Sequence, residues 1–464
     1  MHFKARAAEA AADRALQAKL GTAKGLFVEG RKRAVAEIDL EATREASKAI
    51  RNTCIADLDL WLERFESEAT KRGGQVLWAR DGAEICRLVA DIARRHGIKK
   101  AIKSKSMLSE EAGLNAALEA AGVQPVETDL GEYILQLAHE PPSHIVAPAV
   151  HKSKEQVAEL FVKAHGKPRL TEIPAMTREA REALRGHFLS ADMGISGSNF
   201  VIAETGTTLT VTNEGNADMV TTLPRIHVVI TGIEKVIGTL EDFATLIRLL
   251  PRSAIGQTVT NYLTLTTGPK MPDEADGPEQ MHIVLVDAGR TKLLGGPMQE
   301  MLRCIRCGAC MNHCPVYQNV GGHAYGWVYP GPMGSILTPV YVGLENAGDL
   351  PNAATFCGEC AVACPVKIPL PDLMRTLREQ QFDRRLRPWP ERAAIAAWGF
   401  AATRPALYAF LSRVGARVAA WMGGSDGLIH RLPGLDGWTK GRDMPAPAGR
   451  TFRELYKRKA LERR

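Results

Sequence analysis

Seven of the nine cysteines fall into two short runs. The first reads Cys304-Ile-Arg-Cys307-Gly-Ala-Cys310-Met-Asn-His-Cys314-Pro315, and the second reads Cys357-Gly-Glu-Cys360-Ala-Val-Ala-Cys364-Pro365. The C-x2-C-x2-C-x3-C-P spacing of the first run is that of bacterial ferredoxin-type ligation. Three thiolates on a tight loop hold one cubane, and the fourth turns to a second one. The second run mirrors the first and returns the cross-over ligand. The expected ligand sets are therefore Cys304, Cys307, Cys310 and Cys364 for cluster 1, and Cys314, Cys357 and Cys360 for cluster 2.

The second run is one cysteine short, because Ala354 stands three residues before Cys357. Cluster 2 is then either a three-iron cluster or a four-iron cluster whose open iron takes another group. His313, His323 and Glu359 are the nearby candidates. Structural zinc asks for four tetrahedral ligands in paired knuckles, and seven cysteines in this arrangement do not divide that way. Disulfides need an oxidising compartment. The first residues scatter charge through Met-His-Phe-Lys-Ala-Arg with no apolar signal core, so a cytoplasmic location is expected. Cys54 and Cys86 lie in expected helices as small buried hydrophobes.

The chain that must position these sulfurs has 464 residues, enough for two or three domains. Hydrophobic and charged fractions of 45% and 24% are those of a soluble globular protein. The net charge of +7 is modest and concentrated in the tail after Gly441. No basic motif interleaved with aromatics accompanies it, which argues against nucleic acid as a partner. No uninterrupted apolar run is long enough for a transmembrane helix, although peripheral membrane contact stays open.

Residues 1–73 read as helical. Ile50, Cys54, Leu58, Trp61, Leu62 and Phe65 give one apolar stripe along a helix expected from Thr43 to Thr70. From 74 to 292 short apolar strands alternate with helices. The strands are expected at 75–79, 99–104, 124–128, 143–147, 199–204, 206–212, 226–230 and 281–287. The helices are expected at 84–96, 110–121, 154–164, 177–191 and 240–250. Such alternation implies an open, mostly parallel α/β sheet. Within it, the stretch Gly194–Asn216 reads as a loop cluster whose small residues admit a ligand, with Glu204 and Glu214 as acid–base candidates. No dinucleotide or phosphate-loop fingerprint is present. Residues 293–385 form the cluster domain, with a helix from Pro371. The aromatic insert 315–356 is expected to shield the clusters by packing. In 386–464, two apolar helices at 392–402 and 406–422 either pack on the cluster domain or face a partner or membrane. An extended, basic tail follows.

The order of these parts, with Thr355-Phe-Cys357-Gly-Glu-Cys360 and the late Thr451-Phe-Arg-Glu-Leu-Tyr-Lys, closely resembles the lactate utilisation protein B family over essentially the whole chain. The Gly194–Asn216 stretch is similar to the core of its LUD domain, an α/β fold like that of sugar-phosphate isomerases and CoA transferases. The resemblance implies an iron–sulfur electron-transfer subunit in oxidation of L-lactate to pyruvate. It also implies two [4Fe-4S] clusters on seven cysteines. The implied partners are a second cysteine-rich iron–sulfur protein and a LUD-domain protein. A rival expectation is that the α/β domain is itself catalytic on a small hydroxy or keto acid.

Overall fold

The computed structural model describes residues 1–432, 434, 439 and 441–462. They fall into two compact units, Met1–Gln380 and Gln381–Arg464.

Four helices open the first unit: α1 Phe3–Ala12, α2 Arg14–Val35, α3 Leu40–Ala56 and α4 Leu58–Lys71. Asp13 and Asp39 cap α2 and α3 by accepting from the N–H groups of Leu16 and Ala42, both at 3.0 Å. The single helix expected from Thr43 to Thr70 is interrupted at Asp57, whose backbone (φ −116°, ψ 43°) leaves the helical region. A one-residue break hardly shifts the periodicity, so Cys54, Leu58, Leu62 and Phe65 all remain buried.

Ten strands follow: β1 Gln75–Ala79, β2 Lys100–Lys103, β3 Gln124–Glu127, β4 Met193–Gly197, β5 Phe200–Ile202, β6 Thr207–Thr212, β7 Ile226–Gly232, β8 Val236–Ile237, β9 Tyr262–Thr266 and β10 Gln280–Val286. Six form a sheet in the order β1-β10-β7-β4-β2-β3, and every pairing in it is parallel. β7 is buried along its whole length, as a strand covered on both faces must be. The α/β class and the mostly parallel sheet are thus as the alternation implies.

Four expectations need correction. The strands at 199–204 and 206–212 do not complete the parallel sheet. They are β5 and β6 of a second sheet ordered β8-β5-β6-β9, and they pair antiparallel. Only a few residues separate them, turning through Gly206 at φ +68°, whereas parallel pairing needs a long crossover. The expected strand 143–147 is a loop between Pro141-Pro142 and Pro148. In it His144 Nδ1 accepts from the N–H groups of Val146 and Ala147, both at 3.0 Å. Gly194 is no loop residue but part of β4, in mid-sheet. A Cβ there would stand 1.9 Å from Val220 O, so glycine lets the helix Asn216–Thr222 lie directly on the strand. Lastly, the helices expected at 110–121 and 240–250 are each two helices. They break at Gly113 (φ +69°) and just before Pro251.

The second unit holds the helices Trp389–Ala402 and Pro405–Trp421. Among the described residues, none in either helix is buried, and Trp389, Trp398 and Trp421 are 73%, 68% and 84% exposed. A short antiparallel pair, Leu428–Ile429 with Met444–Pro445, precedes a last helix Phe452–Glu462. The extended stretch expected here falls partly on 433, 435–438 and 440, outside the described residues. No described helix is long and apolar enough to cross a membrane.

Candidate functional site

The two cysteine runs follow the same backbone path. Arg306 and Phe356, each one residue ahead of a cysteine, sit at φ +57°. Gly308 and Gly358, each one residue behind, sit at φ +78° and +87°. Short helices, Ala309–Asn312 and Glu359–Ala363, start at once. A non-glycine residue in the left-handed region costs about 1–3 kcal/mol and persists only where its surroundings hold it. The Arg306 guanidinium is held over the Tyr329 ring at 5.2 Å and by Glu234 at 3.3 Å. Phe356 is held under Arg378 at 4.2 Å.

Cys304, Cys307, Cys310 and Cys364 line one cavity, walled by Met301, Ile305, Met333, Val366, Ile368 and Leu370. Burial, then the neighbouring Cys364 and Cys304, push the Cys307 thiol up to about 12. Cys310 is raised well above the usual thiol value by burial and by Cys304, Cys307, Cys360 and Cys364. It is therefore within electrostatic reach of both groups. Cys360 is pushed up to about 12 by burial, then by Cys314 and Cys357. The Ile368 N–H donates to Cys364 Sγ at 3.3 Å. Soft sulfur donors converging on an apolar, water-poor cavity, with an amide N–H already turned to a sulfur, fit a thiolate-bound iron–sulfur core. Positive iron would overcome the desolvation that raises these thiols. Among the described residues no three His, Cys, Asp or Glu side chains close on a single-ion site.

Cys357 is exposed while Cys314 and Cys360 are buried. Of the three candidates for an eighth ligand, His323 Nε2 donates to Pro141 O at 2.8 Å, and its ring packs edge-on against His151. It is thereby committed to the α/β side. His313 Nδ1 donates to Ala309 O at 3.0 Å, and His313 lies within electrostatic reach of Glu359. Cys54 is buried as expected. Cys86 is only half-buried, and its thiol donates to Ala112 O at 3.3 Å.

Three arginines that their charge alone would place on solvent faces grip this region. Arg31 Nη2 donates to Ala363 O (3.1 Å), Arg44 Nε to Cys364 O (3.0 Å), and Arg51 Nη2 to Leu302 O (3.0 Å). The signal was present in the sequence: Arg44, Ser47, Arg51 and Cys54 recur at helical spacing, and all but Arg44 are buried. The corrected 143–147 loop is part of the same assembly. Tyr317 donates to Ser143 O at 2.8 Å, and His144 Nε2 donates to Asn312 Oδ1 at 2.8 Å. Full burial lowers the His144 pKa to about 4, so the ring is neutral, with Nδ1 free to accept. The insert 315–356 packs its aromatics inward: Tyr325 and Tyr329 are buried, and Trp327, Tyr329 and Tyr341 meet edge to face.

A buried ion network joins this region to the α/β sheet. Arg290, 1% exposed, donates to Glu234 Oε2 (2.8 Å) and to Glu111 Oε1 and Oε2 (3.2 and 3.1 Å). Tyr329 donates to Glu111 Oε2 at 2.7 Å, and the Arg290 guanidinium lies 4.9 Å over the Tyr341 ring. Glu234 is held down to about 2: burial opposes ionisation, but Arg290 and Arg306 outweigh it.

Beside the network a cavity of about 290 Å³ opens at the carboxyl ends of β2, β3, β4 and β7, where open α/β sheets bind ligands. Lys105, Asp129, Ser198, Asn199 and Thr231 line it from the sheet, and Arg306, Cys307 and Tyr329 from the cysteine side. Lys235, also on its wall, is lowered to about 7 by burial and then by Arg306. Glu214 stands at the mouth. Desolvation, then the Asp129 carboxylate, raise its pKa to about 7. Glu204 is elsewhere: it is exposed and accepts from the Leu240 N–H at 3.3 Å. The structure does not bring the two expected acid–base carboxylates together.

Comparison with known proteins agrees with this division of labour. The LUD domain family matches residues 62–286, a 4Fe-4S dicluster domain 300–368, and the C-terminal domain of lactate utilisation protein B 375–460. Lactate utilization protein B of Lysinibacillus sphaericus is 45% identical over 90% of this chain and 88% of its own. That of Bacillus pumilus is 42% identical over 99% and 98%. The chain belongs to the lactate utilisation protein B family. Its members' dicluster domain places iron–sulfur clusters in the cysteine region. A crystal structure of a DUF162 family protein from Deinococcus radiodurans is 14% identical, covers 50% of this chain and 98% of its own, and has a TM-score of 0.28.

Proposed function

We propose that the chain is the iron–sulfur electron-transfer subunit of an assembly that oxidises L-lactate to pyruvate. Cys304, Cys307, Cys310 and Cys364 would hold one [4Fe-4S] cluster. Cys314, Cys357 and Cys360 would hold three corners of a second. Because Ala354 occupies the place of the eighth cysteine, that second centre is a site-differentiated [4Fe-4S] or a [3Fe-4S] cluster. Bound there, such clusters supply reversible one-electron storage over a wide range of potentials. The chain's own part is to gather the thiolates and exclude water with Met301, Ile305, Met333 and Leu370. It also turns amide N–H groups towards sulfur, which stabilises the added electron's charge. The observation that carries the reading is the packing of the short helix Ala309–Asn312, which bears Cys310, against Glu359–Ala363, which bears Cys360. Two adjacent one-electron centres suit a substrate that gives up two electrons.

The working division is a helical segment 1–73, an α/β domain 74–292, a cluster domain 293–385 and a tail 386–464. The remaining subunits are taken to be a second cysteine-rich iron–sulfur protein and a LUD-domain protein, in the cytoplasm. The test is anaerobic purification with iron and sulfide counting, alone and with neighbouring gene products, followed by lactate-dependent reduction. Cys307→Ser and Cys357→Ser should each remove about half of the iron, from different centres. Colourless protein without iron or labile sulfide would sink the proposal.

A further inference from the structure

Two residues lining the 290 Å³ cavity carry cationic nitrogens that no hydrogen bond satisfies. Lys105 Nζ and Arg306 Nη1 are both sealed from solvent without a hydrogen-bond partner among the described residues, and both residues line it. An enclosed cation without a partner is costly. The buried acids near Lys105 do not relieve it. Glu110 is raised by burial, and Glu132 is raised well above the carboxylate range by burial and by Glu127. Neither forms a hydrogen bond to its ammonium. Arg306 shares Glu234 with Arg290, so one carboxylate serves two guanidinium groups. Thr231 Oγ1, on the same wall, is also enclosed and unpartnered.

We propose that this cavity binds a small monocarboxylate carrying an oxygen on its second carbon, a 2-hydroxy or 2-oxo acid, with Lys105 and Arg306 meeting the carboxylate and Thr231 the second oxygen. The proposal rests on the lactate-oxidation reading and goes further, placing the substrate or product in this chain, against the Cys307 loop. Three features select the class. The volume is at the lower edge of what ligand pockets offer, which favours a ligand of a few heavy atoms. Asp129, Glu214 and Glu234 share the wall with the cations, so one negative charge is welcomed and a second is repelled. The unpartnered hydroxyl asks for a polar atom next to the carboxylate, since an enclosed hydroxyl left unpaired is penalised.

The test is calorimetric titration of the anaerobic, iron-loaded full chain with pyruvate, L-lactate, acetate and inorganic phosphate. Pyruvate or L-lactate should bind, and acetate and phosphate should bind more weakly. Lys105→Gln should weaken binding by about tenfold or more with iron content and circular dichroism unchanged, and Lys105→Arg should restore most of it. No heat from pyruvate or L-lactate up to about 10 mM, a preference for phosphate, or a Lys105→Gln variant that binds like the parent would overturn the proposal. The electron-carrier reading fails separately. Protein that binds pyruvate but never holds iron sinks that reading and spares the cavity. Reducible clusters without carboxylate binding do the reverse.

Discussion

Replacing Arg290 by methionine removes the one side chain that holds Glu111 and Glu234 together. Arg290 and Glu234 are 1% and 2% exposed, and four hydrogen bonds from the guanidinium, to Glu234, Glu111 (two) and Asp287 O, end in this buried region. Methionine keeps the alkyl stem and deletes the charge, leaving Glu111 with the Tyr329 hydroxyl, and Glu234 with Arg306 and the nearby charge of Lys235. Breaking a buried pair from one side costs about 3–5 kcal/mol, since a carboxylate is left desolvated. The unit Met1–Gln380, at about 2.1 cal/mol/K per residue, has an unfolding entropy of roughly 0.8 kcal/mol/K. The expected fall in Tm is therefore roughly 4–6 °C, read by scanning calorimetry at fixed iron content. Adding Glu111→Gln should recover part of the loss, because the stranded charge goes with it. Hydrogen exchange should rise at Tyr329 and in 234–236 rather than evenly. An Arg290→Met variant melting within about 1 °C of the parent would refute the claim that this network ties the cluster region to the sheet.

Three further outcomes follow from the same geometry. Ala354→Cys should make the second cluster resist oxidative iron loss; if mild oxidation of the parent never yields a three-iron paramagnetic signal, the account of the missing cysteine is wrong. Glu214, raised to about 7 by desolvation and by the Asp129 carboxylate against the opposing pull of the Leu130 N–H and Lys105, is neutral below that pH and anionic above it, so its favoured neutral form is lost as pH rises through about 7. Pyruvate affinity should consequently fall by about three- to tenfold between about pH 6 and 8.5, with a smaller fall in Glu214→Gln; a pH-independent affinity in the parent contradicts this. Gly322→Ala places a Cβ 1.8 Å from Ser143 O and should cost about 1–3 kcal/mol. Exchange should speed up along 143–151, and unchanged protection there would show that the loop is not seated on the cluster region.

Some features were legible from local chemistry. The cysteine spacing names an iron–sulfur site because ligands to one inorganic core must come from a few residues of tight loop. β7 and β10 could be read because strands covered on both faces are apolar runs, and β1, β2 and β3 because each is a short run between helical segments. β4 could not, since Met193-Gly-Ile-Ser-Gly carries two glycines, one of them required by the helix Asn216–Thr222, and so looks like a turn. The 143–147 segment is apolar enough for a strand, yet flanking prolines and the His144 turn hold it as a loop. Glu204 and Glu214 looked like a pair because they are near in sequence, but they sit at opposite ends of a hairpin formed by β5 and β6.

By itself, then, the order of residues determined which groups can bind iron, which stretches must be buried, and the parallel α/β class, because each depends on spacing within a dozen positions. Only the tertiary structure decided that Arg31 and Arg44 grip the second cysteine run and that Arg51 holds the chain entering the first. It also decided that Arg290 bridges two regions, and that Lys105 and Arg306 share a cavity beside Cys307. Those pairings join residues up to hundreds of positions apart, and their energies come from burial and proximity, which no local pattern encodes.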